Sequence, residues 1–417
     1  MKKLSAAILC SLYMPLSAWC QTLPALSLGE IYQKIETTYP EILKYNAKIN
    51  AISAGAEGAT SWMAPMVTVG IDRFPYKLKQ VSMKNDPMNQ AGIMIALEQA
   101  IPYRSELKAK QQYVSSLAEI QKNDAEWTKN ILRGNSKLLY YQRYIAEKKI
   151  KVIEENLQLM ELFIETAKER YKYNQADLSV IYKAQAQVAD LSNMKVMLQG
   201  LISESNIGLN ILMNRDINTP FAIDTAIAVK NYDSPVFTDT ANVKRSDIAA
   251  VESSINAMAL NRKYISLARK PDFSVKFQHM QMLGMPSQFS IMGMVTISSI
   301  PWAAKMYKSE VKAMGFEIQA MQQEKQTMQL MTLKMSAEKL SMLNYEKKQL
   351  ENYTASIIPA YQKNLETTIL AYKQNTGSFF ILLDAWQMVF MKQFEALDKL
   401  DNILRLQAEY EFETQQL

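Results

Sequence analysis

Histidine and cysteine are almost missing from this 417-residue chain, which holds one His and two Cys. Both cysteines, Cys10 and Cys20, fall in the first twenty residues, and the histidine, His279, stands far from either. That scarcity excludes zinc-hydrolase sites, Cys/His nucleophiles and a serine–histidine triad. No Gly-rich phosphate loop occurs, and no pair of carboxylates stands out as a general acid and base. The chain is therefore read as a non-enzyme that calls for no cofactor. Long apolar runs are missing as well. No stretch after the first twenty residues reaches the eighteen or so apolar positions of a membrane helix. Charge is nearly balanced, with 47 Lys and Arg against 41 Asp and Glu for a formal +6. No basic stripe is clustered in it, so no nucleic-acid partner is expected.

What is present begins with an export leader. Lys2 and Lys3 precede the apolar stretch Ala6 to Met14, and Ala18-Trp19-Cys20 offers small residues at its outer positions before Gln21. Residues 1–20 read as a secretory signal peptide cleaved before Gln21. The alternative is a lipidated Cys20, with Leu16 four residues before it; Trp19 opposes this, because a lipobox wants a small residue just before its cysteine. An exported chain without a membrane helix is either periplasmic or a β-barrel.

Proline and glycine then punctuate the chain unevenly. Between Pro102 and Pro220 there is no proline, and glycine occurs only at Gly134, Gly200 and Gly208. Good helix formers fill residues 105–173. A helix over about 104–173 would span about 100 Å at 1.5 Å per residue, and only lateral pairing with other helices can support that length. Return, flanking and second-half helices are expected at 178–213, 28–60, 244–268, 303–374 and 379–416. Each long helix then lies beside a shorter pair stacked end to end. The proline clusters at Pro65 to Pro102 and Pro271 to Pro301 have strand character instead. Val67, Val69 and Ile71 alternate with Thr68, Gly70 and Asp72, and Phe273, Val275 and Phe277 alternate with Ser274, Lys276 and Gln278. With return strands at 92–99 and 289–300, two hairpins of about ten-residue strands are predicted, the length that crosses an outer membrane.

The halves correspond at four landmarks. Tyr39-Pro40-Glu41-Ile42 matches Arg245-Ser246-Asp247-Ile248, and Pro65 matches Pro271. Ile101-Pro102-Tyr103 matches Ile300-Pro301-Trp302, and Tyr171-Lys172-Tyr173-Asn174 matches Tyr372-Lys373-Gln374-Asn375. Four matches in one order indicate an internal duplication. The predicted organisation is a first repeat at 21–213 with its β-hairpin at 65–101, a linker at 214–243 with its own Pro and Asp residues, and a second repeat at 244–417 with its hairpin at 271–300.

These motifs and this order of elements resemble the TolC family of outer-membrane efflux proteins over nearly the whole chain beyond the leader. The resemblance implies a mainly α fold with a membrane β-barrel portion: long α-helical hairpins form an α-barrel tunnel, and four β-strands per chain close as a twelve-stranded barrel in a homotrimer. It also implies a place in the cell outer membrane, with the tunnel in the periplasm. The implied partners are outer-membrane lipid, a periplasmic adaptor (membrane fusion) protein and an inner-membrane pump of the RND type. Asn174 and Asn375 stand where the family usually has glycine, a substitution asparagine accommodates because it tolerates the left-handed conformation. With Gly377 and Asp384 they make up the expected periplasmic tip. Some family members narrow that tip with two aspartates; Asp384 matches one and Ile381 takes the other place. Asp384 is read either as a constriction residue or as a solvated helix residue.

Methionine is abundant, at 26 residues. Met314, Met321, Met328, Met335 and Met342 recur every seven residues, which reads as a coiled-coil seam or as a thioether track for soft Cu(I) or Ag(I). His279, Met280, Met282 and Met285 form a second group beside the strand loop, read as barrel lining, lipid-facing surface or a weak soft-metal site. Asp86-Pro87-Met88 with Gly92-Ile93 and Gln99-Ala100-Ile101-Pro102 resembles the cation-efflux branch of the family, which implies metal cations such as copper or silver as cargo. Drugs or other small molecules, exported polypeptides, and a pore-less periplasmic coiled-coil scaffold are the alternatives.

Overall fold

The computed structural model describes residues 25–416 apart from 85, 226 and 233. The leader at 1–20, with Cys20, lies outside the described residues. Eight helices and six strands are seen among those described.

A two-residue strand β1 (Ala25–Leu26) leads into α1 (Leu28–Thr38), whose first turn carries a complete Ser27–Glu30 capping box. The expected single helix at 28–60 is two helices, α1 and α2 (Pro40–Gly58). Pro40 forces the break, because its ring keeps the preceding residue out of the helical region, and Tyr39 accordingly sits at φ −72°, ψ 124°. After β2 (Met66–Asp72) and β3 (Gly92–Ile101), Pro102 and Tyr103 turn the chain into α3 (Arg104–Tyr171), 68 residues without a break, and α4 (Leu178–Leu212) returns beside it. The second half repeats this order with α5 (Ser246–Ser266), β5 (Asp272–Met282) and β6 (Gln288–Thr296). Its long helix is α6 (Pro301–Asn352) and α7 (Ile358–Lys373), joined through a π-helical turn at Tyr353–Ile357, and α8 (Phe379–Thr414) returns. Pro359 explains the π turn: it brings no N–H to the helix and its ring crowds the carbonyl four residues back, so the helix widens by one residue and continues. Strand β6 stops at Thr296, short of the expected Ile300, because a turn at 298–299 prepares the entry to Pro301.

Seven-residue spacing holds the helices together. Ala146, Ile153, Met160 and Ala167 of α3 are all buried, as are Ala184, Leu191, Leu198 and Ser205 of α4 and Leu382, Val389, Ala396, Ile403 and Tyr410 of α8. A strict seven-residue apolar repeat is the condition for knobs-into-holes packing along a supercoil. The outcome is a strip four helices wide. Near the sheet its order is α2, α3, α5, α6; toward the far end it is α4, α3, α8, then α6 and α7. Thus α2 and α4 stack end to end along one side of α3, and α5 and α8 stack between α3 and the second long helix. At the first junction Thr38 Oγ1 donates to the Met213 carbonyl at 3.1 Å, and Asn214 Nδ2 donates to the Thr38 carbonyl at 3.1 Å. The expected methionine seam holds only in part. Met314 is buried and Met321 and Met328 are half-buried against the α5 side, but Met335 and Met342 are exposed. Ser336 and Leu343, one position on, take the buried places where α6 moves onto α8.

The linker is anchored on the core of the helices at mid-height. β4 (Ala222–Ile223) pairs in parallel with β1, and Phe221 and Ile223 pack on Tyr140, Tyr144, Leu209 and Leu404 at mid-height.

Candidate functional site

Three places concentrate residues that a helical strip alone does not need: the sheet, the mid-height clasp and the far tip.

The sheet has strand order β2-β3-β5-β6, antiparallel throughout. Its register sorts the side chains, because directly opposed residues share a face and alternate residues change face. One face carries Val67, Val69, Ile71, Ile93, Ile95, Leu97, Ile101, Phe273, Val275, Phe277, Phe289, Ile291 and Val295, and all of them are exposed. Val69 is 68% exposed and Ile71 70%. The opposite face carries Thr68, Asp72, Glu98, Ser274, Lys276, Gln278, Gln288, Ser290 and Thr296, with glycine, alanine and methionine between them. An uncovered apolar face of this size is untenable in water and normal against hydrocarbon. Strands of ten and eleven residues, β3 and β5, are long enough to cross a bilayer when tilted. Trp62, Tyr103 and Trp302 cluster at the strand-to-helix corners, Trp302 being 81% exposed, while Phe289 and Tyr76 mark the other end. This is the aromatic distribution of a membrane interface. Both outer strands, β2 and β6, leave their outer edges unpaired.

At mid-height the end of α8 is clasped by the linker. Glu411 is fully buried and accepts from Lys137, from Lys230 Nζ at 2.8 Å and from the Tyr232 hydroxyl at 2.6 Å. Burial alone would raise the Glu411 carboxyl, but those three donors outweigh it and hold its pKa below the ordinary carboxylate value. The Tyr232 hydroxyl is pushed up in turn, by burial first and by the carboxylate it serves second. Two residues on, Glu413 pairs with Arg245, which also binds Asp247 and lies 4.6 Å over the Trp127 ring. Burial is the main influence on Glu413 and raises its pKa. The clasp thereby fastens the α5–α8 junction, as Thr38 and Asn214 fasten the α2–α4 junction. The sequence marks only Arg245 and Asp247, in the repeat landmark; Lys137, Lys230, Tyr232, Glu411 and Glu413 share no local pattern with them, because they come from segments far apart in the chain and only the fold brings them together.

At the tip both reversals are built alike. Asn174 and Asn375 adopt φ 59° and 58°. Gln175 N donates to the Arg170 carbonyl and Asn174 N to the Tyr171 carbonyl, while Thr376 N and Asn375 N make the same two bonds to Ala371 and Tyr372. These are Schellman caps with asparagine in the left-handed place. Gly377 has no positive φ; it is small because a Cβ there would lie 3.1 Å from the Ala371 Cβ. Arg170 ties the two reversals, stacking 4.2 Å over the Tyr372 ring and donating to the Lys373 carbonyl at 3.1 Å. Behind them Trp386 is buried and donates to Asn156 Oδ1 at 2.9 Å. Asp384 is exposed, on one helix face with the exposed Ile381 and Met388.

The second methionine group is divided by the register. Met280 and Met282 are buried on the polar face of β5, His279 points from the opposite, apolar face, and Met285 lies half-buried in the hairpin loop. Among the described residues no group of three or more His, Cys, Asp or Glu could hold a metal ion, and no helix is long and apolar enough to cross a membrane.

No protein-family model matches this chain, and no curated protein does. Solved structures do match, end to end. The structure of CusC, described as forming a transmembrane channel, superimposes with a TM-score of 0.75 at 12% identity, over 97% of this chain and 95% of that one. The outer membrane protein VceC from Vibrio cholerae gives 0.75 at 11% identity over 93% and 95%, and the CmeC outer membrane channel from Campylobacter jejuni gives 0.72 at 12% over 98% and 93%. Helical strip, membrane-type sheet and double reversal therefore form the fold that these outer-membrane proteins share. More narrowly, it is the fold of the TolC family.

Proposed function

We propose that this chain is one subunit of a homotrimeric outer-membrane channel that receives cargo from an inner-membrane pump through a periplasmic adaptor and releases it outside the cell. One observation carries the reading: the four-stranded sheet is apolar and exposed on one face, polar on the other, and unpaired at both edges. In lipid an open edge leaves backbone groups without partners, so such a sheet must close. Three copies of four strands make a twelve-stranded barrel. The helical strip closes with it, edge against edge, burying the apolar residues that α4 and α6 leave exposed, such as Val196, Met197, Leu330 and Met331. The cell outer membrane is its place, and the helices extend into the periplasm, where an adaptor and a pump of the RND type meet the tip. We read the two halves as a duplication; the same spacing of 201 residues separates the left-handed caps Asn174 and Asn375 and the caps Asn214 and Gln415.

At the tip, Asp384 from three subunits would form an acidic ring with Ile381 behind it. Purified protein in planar bilayers tests both parts. The intact chain is expected to be trimeric, membrane-inserted and conductive, and Asp384→Ala to reduce its preference for cations. A soluble monomer without conductance refutes the channel. An unchanged cation preference in the variant refutes only the ring.

A further inference from the structure

The six methionines in the membrane-type strands are sorted without exception. Met66 of β2, Met94 of β3, Met280 and Met282 of β5, and Met292 and Met294 of β6 all lie on the polar face. The apolar face has none. Conversely, every large apolar residue on the polar face is a methionine; Leu, Ile, Val and Phe are confined to the other side. A barrel lumen is ordinarily polar. If these positions needed only bulk, leucine or valine would serve as they do across the wall, so what distinguishes them is the thioether.

Three of the six converge. Met94 and Met280 are directly opposed across β3 and β5, and Met282 is the next residue on the same face. Opposed side chains start about 5 Å apart and diagonal ones about 7–8 Å, within reach of flexible methionines. Gly92 opposes Met282, and a Cβ there would come 3.2 Å from the Met280 methyl, so the missing side chain leaves room for Met280 to lean toward Met282. This end of the sheet is also sheltered: Met280 is 8% exposed and Met282 6%, against 58% for Met66 at the other end. The β2–β3 loop provides the shelter, with Leu283 N donating to the Ala91 carbonyl at 2.9 Å and Asn89 Nδ2 bonding the carbonyls of Val81 and Met83. The Asn89 side-chain oxygen is buried there without a hydrogen-bond partner.

We infer that Met94, Met280 and Met282 form a soft-cation subsite near the outer end of the barrel lumen, one per subunit, taking a monovalent d10 ion, Cu(I) or Ag(I). Neutral thioethers select soft ions and offer little to hard ones. Without thiolate or carboxylate the site holds its ion weakly enough to release it, as a conduit requires. His279 takes no part, because it faces the other way. The inference rests on the reading of the sheet as a barrel wall and names a cargo class for it.

The test is titration of the lipid-embedded trimer with silver nitrate in chloride-free buffer, run beside conductance. One silver ion per chain is expected to bind, with a sulfur shell at the Ag K-edge. Met94→Leu, Met280→Leu and Met282→Leu together are expected to weaken binding at least tenfold with conductance to potassium unchanged; methionine to leucine nearly conserves volume, so folding is retained. Met335→Leu and Met342→Leu, on α6 outside the sheet, should leave silver affinity unchanged. Unaltered silver affinity in the strand variant, or a first shell of oxygen and nitrogen only in the unaltered protein, overturns the subsite and leaves the channel standing. A protein that neither inserts nor conducts overturns the channel reading, and the subsite falls with it for want of a lumen.

Discussion

Single residues set the character of each site. Glu411 is the clearest case, a fully buried carboxylate with three donors closing the linker onto α8. Its depressed pKa fixes the sign of its pH dependence: the folded state holds this carboxylate charged more readily than the unfolded state does. Its contribution is therefore complete above the ordinary carboxylate value and is lost as pH falls below about 4.5 toward the depressed value. Glu413, raised by burial, acts in the opposite sense, contributing at low pH and losing that contribution as pH rises. Glu411→Gln leaves Lys137 buried without a counter-charge and is expected to cost about 3 kcal/mol at neutral pH, the lower end for a broken buried pair because Lys230 is half in solvent. The thermal midpoint of the variant should also vary less between pH 3 and 5 than that of the unaltered protein, which scanning calorimetry across that range measures. An equal loss of midpoint on acidification in both proteins would remove Glu411 from this role.

Elements depend on how their ends are made. Four helix ends, after α3, α4, α7 and α8, close on left-handed non-glycine residues: Asn174, Asn214, Asn375 and Gln415. Asparagine enters that region at low cost, whereas a β-branched residue does not. Asn375→Val is expected to destabilise the second reversal by roughly 1–2 kcal/mol. Asn375→Gly should be neutral or slightly stabilising, as read from hydrogen exchange of α7 and the first turns of α8. Equal protection in the valine variant would mean that the cap is not needed. The two reversals are legible in the amino-acid order itself, since asparagine stands at the predicted turn in both halves. The π turn at Tyr353–Ile357 is not, because Pro359 inside a helical pattern signals a break as readily as a bulge, and only packing of α7 and α8 on either side keeps the helix running.

The whole molecule is decided by which surfaces remain uncovered. In the proposed barrel the apolar face meets lipid and the polar face the lumen, so the two respond oppositely to charge. Val69→Lys, on the apolar face, is expected to cost about 2–4 kcal/mol near the bilayer midplane and to reduce membrane assembly. Thr68→Lys, its neighbour on the polar face, should assemble normally. Quantifying heat-stable trimer in isolated outer membranes checks the pair; equal trimer yields would place both faces in the same environment and sink the barrel.

Periodicity along the sequence determined the elements. Alternation of period two marked both hairpins, the gap without proline marked the first long helix, the repeat landmarks marked the second, and the two sets of turn residues marked their reversals, because these signals lie in the amino-acid order itself. Tertiary structure decided whatever depends on register between distant segments. The sequence shows that Met280 and Met282 share a face opposite His279, but only the pairing of β3 with β5 sets Met94 beside them. Likewise Lys137, Tyr232 and Glu411 have no local pattern in common. They meet because seven-residue packing lays α8 beside α3, and a buried charge persists only where the fold supplies its partners.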